Sequence, residues 1–93
     1  MQFTWDPAKA RQNMRKHHVA FEEASTVFRD PLARIHDDPD HSQGEYREII
    51  IGHSAPGRLL LVCFTELYEG MIKIINARRS DIRERQKYEE TID

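Results

Sequence analysis

Residues 58–66 read RLLLVCFTE, a run whose interior is apolar at odd and even positions alike. Leu59, Leu61 and Cys63 alternate with Leu60, Val62 and Phe64, so a strand built from it presents apolar groups to both sides, as a central strand does. SAPG at 54–57 is a tight connection back to YREIIIGH at 46–53, a second strand. On the other side, Glu69-Gly70 signals a hairpin into a third strand over residues 71–77. Residues 32–36 are a further short strand candidate, DDPDHSQG at 37–44 is a turn or loop by composition, and Phe3-Thr4-Trp5 is β-prone.

Around this period-two centre the spacing changes to that of helices. Asp6 can accept the first free N–H groups and Pro7 loses nothing by lacking one, which predicts a helix from Pro7 to about His17 with Ala10, Met14 and His17 on one stripe. His18 then falls where a left-handed residue is needed. Ala20, Phe21, Ala24, Val27 and Phe28 recur at helical spacing until Asp30-Pro31 ends the pattern. Ser80 is placed to cap a final helix from Asp81 to about Thr91. The expectation is one α+β domain over residues 1–93. It has two N-terminal helices, an antiparallel sheet of about four strands covered on one face by helices, and a C-terminal helix.

Composition narrows the class. A hydrophobic content of 39% is too high for disorder, and a chain of 93 residues buries only about 60–65% of its unfolded surface, so its core is modest. The single cysteine, Cys63, lies in the apolar run with no adjacent base, which reads as a buried thiol and fits a reducing cytoplasm. No signal-like apolar segment opens the chain and none is long enough to span a membrane, so a cytoplasmic location is expected. The net charge of −2 hides strong segregation. Residues 7–18 carry four basic groups and no acid; residues 30–48 carry six acids against two arginines; residues 71–88 carry six basic groups against two acids. Such asymmetry suits an anionic ligand on one side and a basic partner on another.

Three stretches carry polar chemistry. HDDPDH at 36–41 lacks the spacing of a calcium loop or a zinc pair, and Pro39 makes it a turn, so neither a metal nor another cofactor is expected. The basic first helix ends in Lys16-His17, which reads as a solvated face or as a surface for phosphates or a protein partner. INARRSDIRERQKY at 75–88 is the most informative. Along a strand Arg78 shares parity with Ile72 and Ile74 at the strand's end, and Glu84, Arg85 and Tyr88 follow on one helix region. Two guanidinium groups, a carboxylate and a phenol are competent for metal-free RNA cleavage. That reaction needs cations on a phosphorane, a base for the 2′-hydroxyl and an acid for the leaving oxygen. Arg79, Arg83 and Lys87 read as solvated surface.

FTWDPAKA at 3–10, KHHVAFEEASTVF at 16–28, DDPDHSQGEYR at 37–47, IGHSAPGRLLLV at 51–62 and INARRSDIRERQKYEE at 75–90 together resemble the BrnT toxins of bacterial type II toxin–antitoxin systems. The resemblance implies a RelE-like ribonuclease fold and RNA cleavage that halts translation. It also implies neutralisation by a BrnA-like antitoxin through which alone operator DNA is bound, and assembly as a homodimer or as a heterotetramer with the antitoxin. It further implies Arg78 as phosphate or phosphorane ligand, with Arg58, Arg47, Arg85 and Lys16 as further substrate-binding cations. Glu66, Glu84 or His17 would be the base and Tyr88 the acid or an orienting group, with His41 a lesser candidate. Four positions depart from the family's usual pattern: His18 stands for Gly, Ala20 for Ser, Asn76 for Ser and Leu67 for Arg. A catalytically degenerate module that only binds antitoxin and regulates the operon is the alternative.

Overall fold

The apolar run becomes the middle strand of five. The computed structural model describes residues 1–41 and 44–92, with the backbone alone for His41. In chain order the elements are β1 (Gln2–Thr4), α1 (Pro7–His17), α2 (Phe21–Thr26) with a 3-10 turn at Val27–Arg29, and β2 (Arg34–Asp37). A second 3-10 turn (Pro39–His41), β3 (Glu48–His53), β4 (Leu59–Tyr68), β5 (Met71–Arg79) and α3 (Ile82–Ile92) follow. Of the expected 37–44 loop, residues 42 and 43 lie outside the described residues.

The sheet order is β1-β5-β4-β3-β2. β2 to β5 pair antiparallel with their neighbours, whereas β1 pairs parallel with β5 through Gln2–Met71, Phe3–Ile72 and Thr4–Lys73. The expectation of about four antiparallel strands is thus corrected to five with one parallel pair. Three residues are too few to show a period. What recruits them is the free edge of β5 and the ring of Phe28, whose centroid lies 5.1 Å from that of Phe3.

Helices cover both faces, not one. On the first, Val19, Phe21, Ala24 and Val27 pack against Ile50, Leu60, Val62, Phe64, Ile72 and Ile74. On the second, Tyr88 of α3 packs on Ile51 and Leu59, with Leu61 and Ile92 partly buried beside them. A strand apolar on both sides, as β4 is, needs cover on both sides, so α3 supplies what one layer of helices leaves open.

A β-bulge decides where Arg78 points. Cys63 pairs with Asn76 but the next residue, Phe64, pairs with Ile74, leaving Ile75 as the extra residue of β5. Ile72, Ile74 and Ala77 therefore all face the α1–α2 side, while Asn76 and Arg78 face the α3 side. Uninterrupted alternation put Arg78 on the face of Ile72 and Ile74; the bulge puts it on the other.

Helix ends follow their chemistry with two shifts. Asp6 Oδ1 accepts from the N–H of Ala8 at 2.9 Å, and His18 takes the left-handed conformation at φ 58°, its N–H bonded to the Met14 carbonyl. The buried residue of α1 is Asn13, 5% exposed, whereas Met14 of the expected stripe is 43% exposed. Asn13 is inside because its amide donates to the carbonyls of Val19 and Ala77, each at 2.9 Å, and accepts from the N–H of Ala77 at 3.1 Å. At α3 the cap is Asp81, not Ser80: Asp81 Oδ1 accepts from the N–H of Glu84 at 2.7 Å. Among the described residues no helix is long and apolar enough to cross a membrane.

Candidate functional site

Strand register lays side chains in rows across the face opposite α1 and α2. Arg34, Ile51, Leu61 and Arg78 form one row; His36, Ile49, Cys63 and Asn76 form the next. α3 closes only part of this face, and two adjoining cavities remain, with Leu61 in the floor of both. The smaller, about 190 Å³, is lined by Asp38, Arg47, Ile49, Cys63, Asn76 and Arg78 as well as Leu61. The larger, about 480 Å³, lies under α3 and is lined by Arg34, Ile51, Glu84, Lys87 and Tyr88, with His36 at its β2 side. Four cationic side chains, Arg34, Arg47, Arg78 and Lys87, thus face two carboxylates, Asp38 and Glu84. The lining therefore carries more positive than negative charge, which favours an anion over a cation.

Arg78 and Glu84 stand where the cavities meet. The guanidinium donates from Nη1 to Glu84 Oε1 at 2.8 Å and from Nη2 to Oε2 at 2.7 Å, a two-point pair. Glu84 Oε1 also accepts the backbone N–H of Asp81 at 2.9 Å, completing a reciprocal capping box with the Asp81 side chain. One carboxylate therefore starts α3 and aims the arginine at the end of β5. Arg78 above all, and then the N–H of Asp81, hold the Glu84 carboxyl below the usual range against an opposing effect of burial. The same bond raises the Arg78 pKa. A carboxylate held ionised in this way has little tendency to take a proton.

The other expected site residues divide sharply. Arg47 lines the smaller cavity with Arg78 and donates to Glu45 at 3.4 Å. Tyr88 borders the larger cavity, but it is 3% exposed and its hydroxyl donates to the Leu32 carbonyl at 3.2 Å. Burial first, and then the charge of Asp30, push its phenol pKa up. It anchors α3, and its hydroxyl is engaged away from the groove. Arg58 is also engaged: it bonds both oxygens of Glu23 and the His18 carbonyl on the α1–α2 side. Glu23, held low chiefly by Arg58, takes a further bond from Ser54 at 2.7 Å. That network fastens the turn between β3 and β4 to α2. Lys16 and His17 end α1 and line neither cavity. Glu66 is exposed near the β4–β5 hairpin, where it accepts from the N–H of Gly70 at 3.4 Å. Arg85 is exposed on α3 and lines neither cavity. The side chain of His41 lies outside the described residues.

Sequence reasoning missed Asn76, Asp38, His36 and Arg34 as lining residues and read as solvated surface Lys87, which borders the larger cavity. Asn76 and Arg78 share parity, which is a legible signal. His36 and Asp38 come from the acidic segment and reach the cavities only through the pairing of β2 with β3. Cys63 sits on the floor, its thiol pushed up to about 11 by burial and then by Asp38, whose carboxylate lies 3.8 Å from Sγ. Among the described residues no group of three His, Cys, Asp or Glu is placed to hold a metal ion.

Residues 5–84 match the family described as "Ribonuclease toxin, BrnT, of type II toxin-antitoxin system". The fold is similar to the crystal structure of the Brucella abortus ribonuclease toxin BrnT, with a TM-score of 0.69 at 19% identity over 87% of this chain and 97% of that one. No curated protein matches the chain.

Proposed function

The chain belongs to the BrnT family of ribonuclease toxins of type II toxin–antitoxin systems, and from that premise we propose that it cuts RNA in the groove beside α3 without a metal ion. The observation that carries this reading is Arg78, delivered by the bulge at Ile75 onto the open sheet face, held by Glu84 and joined in one cavity by Arg47.

In the reaction the ribose 2′-oxygen passes its proton to solvent water in the open groove and attacks the adjacent phosphorus. A pentavalent phosphorane forms, its bond to the 5′-oxygen breaks, and that oxygen takes a proton back from water, giving a 2′,3′-cyclic phosphate and a 5′-hydroxyl. Negative charge builds on the non-bridging oxygens. Arg78 keeps further N–H donors beyond the two bound by Glu84, and with Arg47 it holds those oxygens and stabilises the charge. Glu84 is a positioning residue: its ionised carboxylate fixes the plane of the guanidinium. Asn76, one row along, donates from its amide to the same phosphate. A BrnA-like antitoxin neutralises the protein by covering this groove.

Expression of the chain alone arrests bacterial growth and fragments RNA, and Arg78→Ala, folded by circular dichroism, does neither. Loss of one such charge-stabilising donor costs about 10²–10³ in rate. Arrest and fragmentation that persist undiminished in folded Arg78→Ala would refute the site. Normal growth with soluble wild-type protein would refute the activity.

A further inference from the structure

The two cavities differ in kind. The smaller holds Arg47 and Arg78; the larger has an apolar floor of Ile51 and Leu61 and the ring of Tyr88 as a wall. Its polar groups sit around it: Arg34 and His36 from β2, Glu84 and Lys87 from α3. At about 480 Å³ it is within the range of sites that hold an organic group rather than a bare anion. The shared Leu61 and the Arg78–Glu84 pair join the two spaces.

Resting on the ribonuclease reading, we infer that the larger cavity takes the base of the nucleotide next to the phosphate bound at Arg78, so that it sets the substrate's sequence preference. A nucleotide is an anion attached to a flat apolar ring with polar edges, and the paired cavities repeat that order. The sheet floor offers Ile51 and Leu61 to the ring's face. His36 and Lys87 stand where they can donate to acceptors on its edge. Arg34 at the same opening suits the backbone that enters and leaves. The base must be unpaired to enter, so the substrate is single-stranded RNA.

The test uses short, wholly 2′-O-methylated single-stranded oligonucleotides, which bind and are not cut. A series with one abasic position moved along the strand is titrated against the full chain. One position is expected to weaken binding about tenfold, the size of one lost base contact. In a His36→Ala/Lys87→Ala variant the intact strand weakens and the abasic strand does not, so the ratio of their affinities shrinks toward one. In Arg78→Ala both strands weaken alike. No abasic position with an effect, or one left unchanged by the double variant, would overturn the base pocket while the Arg78 effect still supported phosphate binding. Equal binding of wild type and Arg78→Ala would instead overturn the ribonuclease site. A cavity that seats a side chain of the antitoxin gives no abasic effect at all, and so also overturns the inference.

Discussion

Glu84 shows how much one side chain can carry. Its two oxygens orient Arg78, and one of them also takes the N–H that begins α3. Because pairing lowers its pKa, the proton bound on unfolding is absent from the folded state. The stability it contributes is present above the ordinary glutamate value of about 4.3 and is lost as pH falls through the lower folded value. Thermal midpoints of wild type and Glu84→Gln, measured from pH 7 to pH 3, should therefore differ most near neutrality and converge in acid. A constant gap would mean that the charge plays no part. Arg58 is the contrasting case. Its sequence setting resembles that of Arg78, a cation at a strand end, yet Glu23 lies within reach on α2 and accepts from its Nε and Nη2. Nothing local to Arg58 reveals a partner 35 residues away, which is why it read as a substrate ligand.

At the scale of elements, local rules worked where the interaction was local. Asp6-Pro7 starts α1, His18 ends it and Glu69-Gly70 turns β4 into β5, with Gly70 at φ 82°. Ala20, at the cap of α2, has extended backbone but no side-chain acceptor for the free N–H groups. Ala20→Ser supplies one and should raise stability by about 0.5–2 kcal/mol, read as a higher urea midpoint at unchanged slope. No gain would mean that another group already satisfies those donors. The bulge at Ile75 left only an ambiguous mark: polar residues pass from odd (Lys73) to even (Asn76, Arg78) positions across Ile74-Ile75, but two adjoining isoleucines equally suit a strand buried on both faces. Only the partner strand reveals the extra residue, and with it the face on which Arg78 lies.

Across the whole molecule, charge segregation along the chain does not become segregation by face. Asp38 and Arg47 from the acidic segment line the same cavity as Arg78 from the basic one, since β2 and β3 fold back beside β4. The same long-range logic explains Asn13. Its amide ties α1, the link that leads into α2, and β5 together beside the bulge through three bonds at 2.9–3.1 Å. Asn13→Ala strands the N–H and carbonyl of Ala77 and the Val19 carbonyl, and should cost about 2–4 kcal/mol in chemical denaturation. A loss under 1 kcal/mol would mean that water replaces the amide.

By itself the sequence determined the α+β class, the central place of β4, the helix start at Asp6 and the gathering of charged side chains in the INARRSDIRERQKY stretch. Each of these rests on residues within a few positions of one another, where spacing and capping act directly. Tertiary structure alone decided that α3 covers the second face, that Arg78 opens onto it and that Arg47 joins it. It also decided that Arg58, Tyr88 and Asn13 are spent on holding the fold. Those outcomes depend on strand register and on partners distant in the chain, and a one-residue slip in pairing is enough to turn Arg78 to the other face.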